Sequence, residues 1–553
     1  AGALTDPGSF SESPGVFPLF SPAEGVIPIP NDLLLQSTDE EKGTVADGSY
    51  DLADSQPPVT TALNELSGAS TIAPIDIPFN GILDTESVIG PEDGDLPNQN
   101  VFLVELTYAS GEPTQGLSLP SSTEDTTYSE PPIPANAGVG TDQPSYAIEV
   151  IELDGASTIR INPLQPLDPK TRYVVAITNA VKDVNGDAII PSPGLAGYGS
   201  LSKSTTQLSE SLKDLRPVQS LITNLWEPTT LAYINNVDAG TGPLRGVSPA
   251  VPVVDSDTTA PGANNLAMTY SFTTSDDAMV LTYMADPVQW ASDLIESQVA
   301  IGTADSIVSS DSEANFGTIA AAIATAKAAW DPSSFSPLLA GCGIGDFACA
   351  GQTVVVGLES GGIPGVPAGD YFPDAAQRNV VIDTASITDA RAVSALIAPV
   401  LAPTDALAFN PISVAQGTIE LPYYLDGSAS DGAGIVTGSW QADDGLATII
   451  SGLLPSPLPQ ANPADSTVVN GIFPFPKEKA MQTAKLLAIY PTVNGGSMKT
   501  VIFQHGITSD RSAALAFGSS LVAAAKLQGQ DVAVLAIDQP LHGIGGISAA
   551  EKA

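Results

Sequence analysis

One stretch near the C-terminal end constrains the fold more than any other. From Thr500 to Gly543 the chain reads TVIFQHGITSDRSAALAFGSSLVAAAKLQGQDVAVLAIDQPLHG. Val501, Ile502 and Phe503 form a short apolar run that breaks at His505-Gly506. Apolar residues then recur three and four apart, at Ala514, Phe517, Leu521 and Ala524, the period of a helix with one buried face. Gly529 is placed to stop that helix. A second apolar run, Val532–Ile537, ends at Asp538-Gln539-Pro540-Leu541-His542-Gly543. Two short strands, apolar throughout and joined by a helix, predict a parallel pair buried on both faces.

At 553 residues the chain exceeds one core, and two to four domains are expected. A hydrophobic fraction of 43% is enough to pack them, and the 50 Gly and 47 Pro predict many turns and long connections. The formal net charge of −43 repels phosphate backbones and anionic membranes, which argues against a nucleic-acid partner. That much acid also suits a salty medium, where screening weakens self-repulsion. No apolar run is long enough to span a bilayer as a helix. The only cysteines, Cys342 and Cys349, sit in CGIGDFAC. Their closeness around glycines suits a small disulfide loop, which would mean an oxidising compartment; two unpaired thiols are the alternative. Two thiolates do not complete a tetrahedral metal shell, and no metal site is expected.

Residues 1–70 are rich in Pro, Ser, Gly and acid, but the aromatic and Ile content of Phe17–Phe20 and Gly25–Asp32 argues for extended segments docked on a domain rather than Pro-rich disorder. Strand patterns recur over 71–190: Val101–Leu106, Tyr146–Leu153, Thr158–Ile161 and Arg172–Thr178. Met268–Thr274 alternates cleanly and reads as the closing strand. A helical insertion is expected near 205–235. Asp183, Asn185 and Asp187 lack the spacing of an EF-hand loop and read as an Asn-Gly turn. The motif Pro166-Leu167-Asp168-Pro169, with Thr171, Tyr173 and then Lys182-Asp183, resembles bacterial Ig-like modules and implies an antiparallel sandwich.

The predicted organisation is therefore multidomain. An all-β Ig-like sandwich occupies 1–275, a bridging segment with helices over 287–335 and the cysteine loop occupies 276–410, and the beginning of an α/β domain with a parallel sheet and flanking helices occupies 411–553. The bridging helices either cover an acyl pocket or pack as core. A strand at 414–425 and an apolar run at Lys485–Tyr490 precede the C-terminal strand–helix–strand unit. Gly25–Pro30 and Gly471–Pro476 echo each other as Pro-punctuated strands rather than as a repeat.

The C-terminal unit resembles the third and fourth strands of an α/β-hydrolase. Together with GVIPIPNDLL, GTIELPYYL and QHGITSDR, it makes the chain similar to bacterial extracellular lipases with an Ig-like N-terminal domain, a family that includes surface-exposed lysophospholipases and virulence-associated lipases. The resemblance implies a serine carboxylic ester hydrolase, secreted or at the outer-membrane surface, acting on a lipid or lysophospholipid ester. It implies no metal or organic cofactor and leaves membrane-surface association open. An adhesion or glycan-binding module built on the Ig-like part, beside a non-catalytic hydrolase-like domain, is the alternative.

Ester hydrolysis in this fold needs a serine on a G-x-S-x-G turn, followed by an acid and then a histidine. The chain contains no such motif, and His505 and His542 are its only histidines. The catalytic triad is therefore expected after Ala553, in a sequence truncated at its C-terminal end and at its N-terminal end too. Half of an oxyanion hole remains. Its expected donor is the backbone N–H of Ile507, with Gly506 permitting close approach and His505 shaping the loop by a hydrogen bond rather than transferring a proton. Thr508, Ser509 and Asp510 read as helix caps rather than substrate contacts, and Arg511 as a structural ion pair rather than a head-group contact. Asp538, His542 and Gly543 are expected to fix the turn after the fourth strand.

Overall fold

The computed structural model describes residues 15–21, 26–35, 47–50, 59–91, 99–111, 130–134, 143–191, 226–227, 229–230, 233, 266–311, 314–369, 371–372, 379–389, 412–425, 439–506 and 509–539. It divides into two units, Ala1–Tyr371 with Asp444–Pro474, and Phe372–Asp443 with Phe475–Ala553.

The first unit is built on β1 (Ile75–Pro78), β2 (Val101–Thr107), β3 (Ile133–Pro134), β4 (Tyr146–Leu153), β5 (Ala156–Pro163), β6 (Arg172–Thr178) and β7 (Leu266–Thr273). They form a three-stranded sheet, β1-β5-β4, and a four-stranded sheet, β3-β2-β6-β7, antiparallel throughout. Ile77 and Ile159 of one sheet and Phe102, Val175 and Phe272 of the other share one buried cluster, so the sheets make a sandwich. The Pro166–Tyr173 motif acquires a physical reason here. Tyr173, at the start of β6, turns its hydroxyl back to accept from the Asp168 N–H at 2.9 Å, and its ring stacks on Phe272 at 5.6 Å. This is the tyrosine corner of Ig-like sandwiches. Burial, with the Glu105 carboxylate adding to it, pushes the Tyr173 phenol far above its ordinary range. In the turn after β6 the Asp183 carboxylate accepts from the N–H groups of Asn185 and Asp187, at 2.8 and 3.0 Å. Burial works to raise the Asp183 pKa, but these bonds outweigh it and hold it low.

The Pro-punctuated N-terminal segments dock on this sandwich. Phe17 and Phe20 are buried, and Pro18 and Ile29 make antiparallel bridges to Phe79 and Asp76, in and next to β1. Asn31 caps a 3-10 turn, Asp32–Leu34. Asp32 is fully buried there, 3.0 Å from Arg172 Nε. The Ser271 hydroxyl donates to the same carboxylate, and Trp226 Nε1 donates to Ser271 Oγ at 2.8 Å. Most of the helical insertion expected near 205–235 lies outside the described residues, but Trp226 shows part of it anchored in the core.

Helices α1 (Asp277–Ala285), α2 (Pro287–Ser310), α3 (Phe316–Ala329) and α4 (Phe347–Ser360) follow. Asp286 and Asn315 cap α2 and α3 with their side chains, and Pro287 opens α2 at the position where a missing N–H costs nothing. Cys342 and Cys349 form a disulfide that ties the start of α4 to the loop before it. The loop is backed by Phe347, stacked on Trp330 at 4.4 Å. Residues 444–474, which include α5 (Asp444–Ser451), belong to this unit although they follow a strand of the other. Trp290 Nε1 donates to the Ile472 carbonyl at 3.1 Å, and the Gly471 N–H donates to Asp276 at 3.0 Å. The units do not part at the sequence boundaries 275 and 410: the helices after 275 belong to the first unit, and these polar bonds tie residues 471 and 472 to it.

The second unit is a mixed six-stranded sheet of β8 (Val380–Ile382), β9 (Thr388–Asp389), β10 (Ile412–Tyr423), β11 (Ala480–Pro491), β12 (Lys499–Phe503) and β13 (Val532–Ile537). The order is β12-β13-β11-β10-β8, with β9 also on β10. β12 and β13 pair in parallel, Val501 opposite Val534, as predicted, but the pair is not buried on both faces: β12 is the edge strand and Ile502 is exposed; the other pairs are antiparallel. The crossover helix α6 (Ala514–Leu527) covers Leu487, Ile489, Val534 and Ala536.

The face α6 buries differs from the predicted one. Ala514 is buried as expected, but Phe517 is half exposed and Ala524 exposed. The packing stripe runs instead through Ala514, Gly518, Ser519, Val522 and Ala523. Small residues win this face because the helix lies close on the sheet. A Cβ at Gly518 would stand 2.6 Å from Ile489 Cδ1 and 3.3 Å from Val534 Cβ. Gly529 ends the helix region as predicted, at φ +70°.

Candidate functional site

In an open α/β sheet the loops that leave the carboxyl ends of parallel strands are where ligands are held. Two such loops stand side by side here, after β12 at Phe503 and after β13 at Ile537. His505 is buried at 4% exposure. Its Nε2 accepts from the Gln539 N–H at 3.1 Å, and its Nδ1 lies 2.9 Å from the Gly506 carbonyl. A carbonyl only accepts, so the ring is the Nδ1–H tautomer, with both nitrogens engaged. The reciprocal bond runs from Gln539 Nε2 to the His505 carbonyl at 3.2 Å. His505 is thus tied to the end of β13 through Gln539, a partner that the sequence did not reveal.

Farther along the loop, Asp510 accepts from the Ser512 N–H at 2.7 Å and caps the 3-10 turn Arg511–Ala513. The Ser512 hydroxyl first, then its N–H, hold the Asp510 carboxyl below its ordinary value. Arg511 makes the ion pair predicted for it. Its N–H donates to Asp538 Oδ1 at 2.9 Å, and its guanidinium to Asp538 Oδ2. The Asp538 N–H donates in turn to the Lys485 carbonyl of β11 at 3.2 Å. Asp538 therefore ties Arg511, at the start of the 3-10 turn, to the end of β13 and to β11. Gly506 is exposed, and a Cβ there would meet nothing within 4 Å, so a ligand can approach its backbone. Ile507, the expected oxyanion donor, lies outside the described residues, as do Thr508, His542 and Gly543.

The helices of the first unit pack as core. The crevice between α2, α4 and α5, lined by Trp290, Leu294, Leu339, Val354, Ile450 and Leu454, has about 10 Å³ of space, room for no more than one water. A larger, polar cleft of about 340 Å³ opens at the tyrosine corner, between Glu105, Gln143, Ser145, Gln165, Asp168 and Tyr173. Gln143 is fixed there by both ends of its amide, accepting from the Glu105 N–H at 2.9 Å and donating to the Glu105 carbonyl at 3.4 Å. Among the described residues no group of three or more His, Cys, Asp and Glu side chains is arranged to hold a metal ion.

Comparison with known proteins bears on one part of the chain. Residues 121–197 match a bacterial Ig-like domain. The match takes in the tyrosine corner and the Asn185-Gly186 turn, so sequence family and sandwich geometry agree on this region. Domains of this type occur in surface or extracellular bacterial proteins. No curated protein and no solved structure matches the chain.

Proposed function

We propose that the protein is a carboxylic ester hydrolase acting on lipids, a lipase or lysophospholipase of the extracellular space or outer-membrane surface, and that the second unit is the front of its α/β-hydrolase sheet. The observation that carries this reading is the β12–α6–β13 crossover. Counted from β10, these strands are the third and fourth of the unit, parallel and adjacent, with His505-Gly506 leaving the third. The resemblance gives that loop the first oxyanion donor, at Ile507. Acyl transfer puts negative charge on the former carbonyl oxygen, and a fixed backbone N–H offsets it; one such donor is worth about 3–4 kcal/mol of barrier. The nucleophile, acid and general base of this reading are not among these 553 residues. The coding sequence after codon 553 tests it. A G-x-S-x-G motif followed by an acid and a histidine supports the assignment, and a stop codon or a continuation without them overturns it.

A second reading is favoured by the polar cleft in the Ig-like sandwich, whose carboxylates, amides and hydroxyls suit the hydroxyl pairs of a sugar. On that reading the first unit is an adhesion or glycan-binding module. Binding of the chain on a glycan array, lost in Gln143→Ala, supports it, and absence of any glycan signal removes it.

A further inference from the structure

We infer that the Cys342–Cys349 bridge is an exchangeable disulfide, at which an external thiol is taken up by Cys342 while Cys349 departs as the thiolate. The inference is independent of the hydrolase and glycan readings. The loop that the bridge closes is also held shut without it. The Cys342 N–H donates to the Leu339 carbonyl at 2.9 Å, the Gly345 N–H to the Trp330 carbonyl at 2.9 Å, and the Asp346 N–H to the Gly343 carbonyl at 3.1 Å. Gly345 has φ +72°, and a Cβ there would stand 3.3 Å from the Lys327 carbonyl oxygen, so the loop runs close against the end of α3. Asp346 caps α4 by accepting from the Cys349 N–H at 2.9 Å. A bridge across so short a loop constrains the unfolded chain less than one across a long loop, and noncovalent bonds already set the folded conformation.

The two sulfurs differ in their surroundings. Ala340, Gly341, Gly343 and Ile344, on either side of Cys342, are exposed, and a Cβ at Gly341 would meet nothing within 4 Å, so a thiol can approach from this side. Cys349 lies in the first turn of α4, with Ala350 buried next to it. The helix dipole favours negative charge on a sulfur placed there. A disulfide sulfur carries no proton, so the Thr353 hydroxyl donates to Cys342 Sγ, at 3.5 Å; Cys349 Sγ lies 4.0 Å from the same hydroxyl, within its reach once the bridge opens. The Asp346 carboxylate opposes charge on Cys349, but it is exposed and already engaged by the Cys349 N–H. In the exchange an external thiolate attacks Cys342 Sγ, the S–S bond breaks, and its electron pair leaves on Cys349 Sγ. A second external thiol attacks the mixed disulfide. The two external thiols end as their own disulfide, and both cysteines end reduced. Attack by Cys349 on the mixed disulfide instead restores the bridge. A more acidic leaving thiol makes the first step faster, which selects Cys342 as the sulfur attacked.

The test treats the folded chain, without denaturant, with excess reduced glutathione, stops the reaction early in acid, alkylates free thiols and maps the peptides by mass spectrometry. The expected product carries glutathione on Cys342 and the alkyl group on Cys349, in roughly tenfold excess over the reverse arrangement. Exchange that begins only at urea concentrations that unfold the first unit makes the bridge a structural staple and overturns the inference. Equal labelling, or glutathione mainly on Cys349, overturns the assigned polarity. Asp346→Asn keeps a capping oxygen and removes the opposing charge, and is expected to quicken exchange roughly twofold; exchange no faster than in the parent overturns Cys349 as the leaving thiolate. In the fully reduced chain the Gly345 amide is expected to keep its protection from hydrogen exchange within roughly tenfold, because its bond to Trp330 does not depend on the bridge. Loss of that protection, with Val354 in α4 still protected, shows that the bridge itself holds the loop and overturns the inference.

Discussion

Asp32–Arg172 in the first unit and Arg511–Asp538 in the second are the same chemical pair in different surroundings. In the first, both side chains are 0% exposed; in the second they are 16% and 9% exposed, at the end of a sheet. Each joins a short 3-10 turn to a strand or to its end. The buried pair brings an N-terminal turn into the sandwich core, where Tyr108, Ser271 and Trp226 extend its network. The shallower pair holds a loop where a ligand can reach it. The contrast teaches that depth sets the role: a fully desolvated pair specifies which segment completes a core, while one that keeps some solvent contact can hold a surface segment at modest cost.

Substitutions across this depth series break or sharpen the comparison. Asp32→Ala leaves the Arg172 charge buried without its partner and is expected to lower the stability of the first unit by about 3–5 kcal/mol in urea unfolding. Replacing both residues with apolar ones of similar size is expected to recover most of that; failure to recover would mean that the network does more than offset its own desolvation. Asp538→Ala removes two bonds to a charged or backbone donor and is expected to destabilise the second unit by about 1.5–3 kcal/mol, read from the same experiment.

Tyr173→Phe deletes only the hydroxyl of the corner and is expected to cost about 0.5–1.5 kcal/mol. Asp276 adds a pH test. Burial, and to a lesser degree Asp277, raise its pKa against the pull of Ser67, Lys170 and Gly471. The folded state thus favours the protonated form, and its contribution to stability is full below the unfolded value and lost as pH rises through the folded one. Asp276→Asn is expected to flatten that fall in a pH series of urea midpoints. The smallest effect is expected at Arg160–Asp76, bidentate but about one-third exposed. Arg160→Ala should leave the unfolding midpoint within error of the parent.

Much of the scaffold was legible because it depends on local pattern. Tyr146–Leu153 and Arg172–Thr178 are strands over the predicted residues, although Arg172–Thr178 is buried throughout rather than on alternate residues, and the apolar runs gave the parallel pairing of β12 and β13 but not their burial, since β12 lies at the sheet edge with Ile502 exposed. The Cys342–Cys349 bridge was legible from spacing. What escaped depends on distance in sequence or on smallness. Nothing local marks Asp32 as the partner of Arg172, or Asn470–Ile472 as part of the first unit. The face of α6 escaped because apolar periodicity weighs large residues, whereas close packing on the sheet selected Gly518, Ser519 and Ala523. At the candidate site, His505-Gly506 and the Arg511 pair were readable as types, but Gln539 was not, because its decisive group is a backbone N–H that any residue except proline would supply.

Hydrolysis of a short-chain nitrophenyl ester, measured for this chain and for the protein carrying the sequence downstream of codon 553, tests the hydrolase reading most directly. The expected result is no turnover by this chain, and turnover by the longer protein that vanishes when the serine of its G-x-S-x-G motif is replaced by alanine. Serine-dependent turnover by this chain alone, or a longer protein that is inert, would contradict it.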